Sequence, residues 1–210
     1  FGATMDGLET YKYFKENQML RHWICLPLTM GIDQRKEDTL TALFERLWTE
    51  NGVLVELNPE VPVEEAIFWD RATLYALRGA MRVGEVNLAY QKLHDYSQKR
   101  LLGNHVPYAI EAYPENNMQL LSAESALYCR ILTEGLLGIE PLGFKTTQLS
   151  PSLPEDWNFL SLDNVYISGK PMDISIQRID EKLQIRIKAQ GRTVIKKLIN
   201  NGEKLIVKFI

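Results

Sequence analysis

The chain has 210 residues, 45% hydrophobic and 24% charged, which is enough apolar material for a core and points to one or two domains. A net charge of −3 and a pI near 5.7 argue against an electrostatic nucleic-acid binder. No apolar run approaches the ~20 residues of a membrane span. Cys25 and Cys129 have no metal or redox spacing and read as buried thiols. Three dispersed histidines give no metal site, and nothing in the chain implies a cofactor. The compartment is left open by this composition.

In chain order, residues 1–20 are weakly helical, with Leu8, Tyr11 and Phe14 on one face. Arg21-His22-Trp23 follows as a polar-aromatic loop. The clearest helix is 34–49, where Leu40, Leu43, Phe44, Leu47 and Trp48 recur at helical spacing and Asn51-Gly52 ends it. Val53 to Glu56 reads as a short extended piece, and Asn58-Pro59 and Val61-Pro62 mark a loop. Residues 66–83 form a second helix with few charges in its interior, expected to be buried. Residues 85–101 form a third, with Val86, Ala89, Tyr90, Leu93 and Tyr96 on one face and a solvated opposite face.

The stretch Tyr108 to Gly138 is the most structured in information. Pro114 biases Tyr113 towards an extended conformation. The polar loop Glu115-Asn116-Asn117 then leads to Ser122, a good N-cap, and to an apolar helix over 123–137 with Glu124 in its first turn. Gly135, Gly138 and Pro141 supply its stop. From Val165 onward the period shifts to two, with strands near 174–178, 183–189, 194–199 and 205–210. Turn signals sit at Asp180-Glu181, Gln190-Gly191 and Asn201-Gly202, the last reading as a hairpin turn.

Glu111-x-Tyr113-Pro114, the polar loop, the small-residue helix start and the run E-G-L-L-G-I together resemble the last helical hairpin of the six-hairpin, (α/α)6-barrel glycosidases. Gly143 to Trp157 is similar to the segment that leads from such a barrel into a C-terminal β-domain, as in α-L-rhamnosidase-like members. Members with the glutamate loop often show aromatic-Ser-Trp-Ser-Ala where this chain has Leu120-Leu121-Ser122-Ala123. The resemblance implies a mainly α fold. Residues 1–142 would be the C-terminal portion of the barrel, with its remainder upstream of Phe1. Residues 143–210 would be a linker and a small antiparallel, sandwich-like β-domain.

The same resemblance implies an inverting glycoside hydrolase acting on an α-linked sugar, with a carbohydrate substrate and no nucleic-acid partner. It assigns the general base to Glu111, with Glu115 as the alternative, and a general acid to sequence before Phe1. Trp69 is expected to stack on a pyranose ring, Asp70 to accept hydrogen bonds from hydroxyls, and Arg71 to orient a carboxylate. Tyr113 would orient Glu111, and His22 and Trp23 would border the cleft. Read without the resemblance, Glu111 and Glu115 are solvated loop carboxylates, Trp69 is core, and Asp70-Arg71 is a local ion pair. A sugar phosphorylase and a non-catalytic carbohydrate-binding scaffold are the rival functions.

Overall fold

The structure is a computed structural model that describes residues 20–102, 112–113, 122–167 and 169–208. Of the described residues, 39% are helical and 34% lie in strands. The mainly α expectation, a barrel portion of helical hairpins ahead of a small β-domain, is therefore overturned. Strand nearly equals helix, and short ladders occur inside 34–101, where helices, loops and one short extended piece over Val53 to Glu56 were expected. Two-residue strands are too brief to leave a period-two pattern, which needs four or more residues to read.

The chain enters by a 3-10 turn at His22–Cys25 and the short helix α1 (Leu26–Thr29). Helix α2 (Lys36–Thr41) continues as a π-helical turn over Ala42–Leu47. It stops one residue before Trp48, whose ψ of 134° is extended. Trp48 and Thr49 form β1, paired with β2 (Gly52–Val53). The turn is closed by the Thr49 side chain, which donates to the Gly52 carbonyl and accepts from the Asn51 N–H. Strand β3 (Phe68–Trp69) feeds directly into helix α3 (Asp70–Arg82), and α4 (Val86–Arg100) follows after Gly84, φ 99°. Strand β4 (Ala112–Tyr113) pairs with β3. Helix α5 (Ser122–Arg130) continues as a π-helical turn over Ile131–Leu136.

Helix α3 is the centre of the first core. Ala72, Leu74, Ala76, Leu77, Ala80 and Met81 are all buried, against Leu28 on one side and Ile131 and Leu136 on another. Each large apolar side chain there contributes about 1.5–3 kcal/mol by burial. Gly79 lets α1 approach: a Cβ at that position would lie 2.9 Å from the Leu28 Cβ. Helix α4 buries only Val86, Ala89, Leu93, Tyr96 and Arg100. Cys25 is buried in this core, and its thiol is pushed up to about 12 by desolvation. Cys129 is exposed, contrary to expectation, because it sits on the solvent side of α5.

The rest of the described chain is antiparallel sheet. Strands β5 (Glu140–Gly143) and β6 (Thr146–Leu149) form a hairpin where only a linker was expected. Strands β7 (Phe159–Ile167), β8 (Lys170–Ile179), β9 (Lys182–Ala189) and β10 (Arg192–Asn200) form a meander in the order β10-β9-β8-β7. Strand β11 (Leu205–Lys208) completes a three-stranded sheet in the order β11-β6-β5. The two sheets share a second core of Leu149, Leu153, Ile174, Ile176, Leu183, Ile185 and Val207.

Asn201-Gly202 is not a hairpin turn. Gly202 does adopt φ 76°, but β10 and β11 belong to different sheets. The turn crosses between them, held by the Asn201 side chain. Its Oδ1 accepts from the Leu153 N–H at 2.8 Å, and its Nδ2 donates to the Leu153 carbonyl at 3.2 Å. The two cores touch through Trp157, which meets the Tyr90 ring edge-on at 5.2 Å. Asn87 and Glu155 also exchange two hydrogen bonds of 3.0 Å.

Candidate functional site

Of the sequence-predicted residues, His22, Trp23, Trp69 and the backbone of Tyr113 lie around β3. Trp69 ends the strand and pairs in register with Ala112, while Phe68 pairs with Tyr113. Leu54 bridges to Phe68, and Arg21 bridges to Glu56, so residues 21–22, 54–56 and 68–69 are tied into one patch of extended chain. That patch carries an aromatic cluster. The His22 and Trp69 rings lie 5.3 Å apart and tilted, and His22 stacks on Trp23 at 5.8 Å. Trp23 is 51% exposed, and the Arg21 guanidinium sits over its ring at 5.1 Å. Arg21 is itself fixed by Glu56, Nε to Oε2 at 3.0 Å.

His22 is held as a neutral ring. Its Nδ1 faces the Val55 carbonyl at 3.0 Å, and a carbonyl only accepts, so Nδ1 carries the hydrogen. Burial lowers its pKa most; the Val55 hydrogen bond works the other way, and the Arg21 charge lowers it further. A neutral imidazole with Nε2 as the lone-pair nitrogen can accept from a hydroxyl.

Asp70 is placed differently from the expectation of a hydroxyl-binding carboxylate. Its side chain is 1% exposed and pairs with Arg100 at 3.0 Å. Arg71 reaches Glu124, Nη2 to Oε1 at 2.7 Å, and Glu124 is fully buried. Tyr96 lies beside the Asp70–Arg100 pair, its phenol pushed well up by burial and then by the Asp70 charge, so it keeps its proton.

Tyr113 is described through its backbone in β4, and Glu111 and Glu115 lie outside the described residues. Arg100, Tyr96 and Glu124 were missed as members of this region. A signal for Arg100 was present: it extends the buried stripe Val86, Ala89, Leu93, Tyr96 by another four residues, and a charge on a buried stripe requires a partner. Among the described residues no cluster of three or more His, Cys, Asp or Glu could hold a metal ion, and no helix is long and apolar enough to cross a membrane.

No protein-family model, curated protein or solved structure matches this chain.

Proposed function

We propose that the chain contributes the substrate face of a glycoside hydrolase that cleaves an α-linked glycosidic bond with inversion, with Glu111 as general base. The observation that supports this reading is the pairing of Trp69 with Ala112. Glu111 is joined to Ala112 by a single peptide bond, and Tyr113 follows on the other side. A partly exposed aromatic cluster beside a strand whose sequence neighbour is Glu111 suits a sugar ring and an activated water. In inversion the base takes a proton from water attacking the anomeric carbon, while an acid on the opposite face protonates the departing oxygen. Asp70 and Glu124 are each engaged by an arginine, so neither serves as that acid.

The burial of those two carboxylates favours one second reading, a non-catalytic carbohydrate-binding protein that keeps the aromatic patch. The test is hydrolysis of α-glycosides by the full-length protein, compared with Glu111→Gln and Glu115→Gln. Loss of a general base costs about 10²–10⁴ in rate. The proposal expects that loss for Glu111→Gln alone, with folding intact and an inverted anomer as first product. A reversed outcome moves the base to Glu115. Wild-type turnover in both variants, or no turnover in any protein that still binds sugar, favours the binding reading.

A further inference from the structure

Lysines and arginines that look scattered along the sequence are gathered by the four-stranded sheet. Residues 182–200, which form β9 and β10 of that sheet, hold six Lys and Arg and no acid, whereas the remaining residues hold 18 and 27. An excess of +6 therefore stands against −9 in a chain of net charge −3. Leu183, Ile185 and Ile187 of β9 turn into the core, so Lys182, Arg186 and Lys188 take the outward face. Lys196 of β10 lies opposite Arg186 in the ladder and joins them. Same-face residues along a strand are about 7 Å apart and neighbouring strands about 5 Å, so these four cations form a compact field. None of them forms an ion pair among the described residues.

The same face is shaped. An open depression of about 460 Å³ is lined by Asp163, Asn164, Asp173, Ser175 and Lys188. Its edge is set by a register shift between Leu162 and Val165, where Asn164 takes φ 57° and donates its N–H to Asp173 Oδ1 at 3.1 Å. Phe159, 54% exposed, lies in the row Phe159, Gln177, Gln184, Leu198 across the four strands.

We propose that this outward face binds an acidic polysaccharide, with uronate carboxylates on Arg186, Lys188 and Lys196 and a sugar ring against Phe159. The inference rests on the carbohydrate reading above and names the class of sugar. Charge complementarity selects a polyanion. A nucleic acid, with a phosphate every 3.4 Å per strand, meets more repulsion from the acidic remainder of the chain than a polymer with one carboxylate per sugar does. Amide and hydroxyl side chains between the cations and the ring suit sugar hydroxyls.

The test is affinity electrophoresis of the full chain through gels containing polygalacturonate, dextran or oligothymidylate. Polygalacturonate should retard the protein in a salt-sensitive way, and dextran should not. Arg186→Gln/Lys188→Gln/Lys196→Gln should weaken the retardation about tenfold, the cumulative size of three exposed charge contacts. Lys196→Gln alone should change it in the same direction, which covers a triple variant that does not fold. Absence of retardation by polygalacturonate, unchanged retardation of the folded variants, or tighter binding to oligothymidylate would each overturn the proposal. Hydrolysis of a small neutral α-glycoside should be unaffected by these substitutions. Binding without hydrolysis sinks the hydrolase reading alone, and hydrolysis without binding sinks this one alone.

Discussion

Asp70 and Arg100 meet at 3.0 Å with side chains 1% and 2% exposed, joining the first residue of α3 to the last of α4. The pair also ties this helix corner to the hairpin, since Arg100 donates to the Asn51 carbonyl at 3.1 Å. Two charges at that depth are costly to desolvate, and their mutual attraction offsets the cost only while both are present. Removing one leaves the other buried without its ion-pair partner. Arg100→Met should therefore destabilise the chain by about 3–5 kcal/mol, and Asp70→Asn/Arg100→Met should recover a large part of that. Urea unfolding of the single and double variants measures it. A double variant as unstable as Arg100→Met would mean that the contact to Asn51, and not the lost counter-ion, dominates.

The approach of α1 to α3 makes the next expectation. Alanine normally gains about 1 kcal/mol over glycine inside a helix. At Gly79 the added methyl would meet the Leu28 Cβ at 2.9 Å and the Thr29 backbone nitrogen at 3.2 Å, neither of which moves cheaply. Overpacking of that kind costs about 1–3 kcal/mol, so the net effect of Gly79→Ala should be destabilising. Gly135→Ala is the contrast, because its methyl would meet the Met81 side chain, Sδ at 3.0 Å, and a thioether can rearrange. Thermal melts should rank Gly79→Ala clearly below Gly135→Ala. Equal melting temperatures would show that α1 shifts freely on α3.

His22 predicts a pH dependence. Its folded pKa lies below the ordinary value of 6.5, mainly through burial. Below 6.5 the unfolded chain binds the proton more readily than the folded chain, so the contribution is complete above 6.5 and stability falls as pH drops from about 6.5 towards the folded pKa. His22→Gln can keep the hydrogen bond to the Val55 carbonyl without a titrating ring. The stability difference between wild type and His22→Gln should therefore shift against the wild type between pH 7 and pH 5. A difference that is flat across this range would refute the assignment of a half-buried neutral imidazole.

The helices were legible because each carries a long repeat. Leu40, Leu43 and Leu47 mark α2 and its continuation, and the few charges of 66–83 mark α3 as buried. The alternation of Leu183 to Ala189 likewise marked β9. What stayed hidden was short or non-local. Trp48 and Phe68 satisfy a helical pattern as well as an extended one; the Val53 partner decides for strand at Trp48, and the Leu54 bridge and the β4 partner decide for strand at Phe68. The Asn201-Gly202 turn has the local conformation of a hairpin, but its destination is set by Leu153, 48 residues away. The aromatic members His22, Trp23 and Trp69 were expected at a cleft through the family resemblance, and no local pattern brought their rings together. The ion-pair partners Arg100 and Glu124 required the tertiary fold.

The aromatic cluster gives the final expectation. Trp69 is partly buried against the first core, so truncating it mixes lost packing with lost binding. Trp23 is 51% exposed and avoids this difficulty. If the cluster is a sugar platform, Trp23→Ala should change stability by no more than about 0.5 kcal/mol, as for surface positions generally. Oligosaccharide affinity should fall by about 1–3 kcal/mol, the scale of a lost aromatic contact. Trp69→Phe, which keeps a ring at 5.3 Å from His22, should lose less than Trp69→Ala. Titration calorimetry on the folded variants, beside their melting curves, separates the two effects. Unchanged affinity in Trp23→Ala together with a lowered melting temperature would make the cluster a structural pair held by Arg21 and remove the platform from the hydrolase reading.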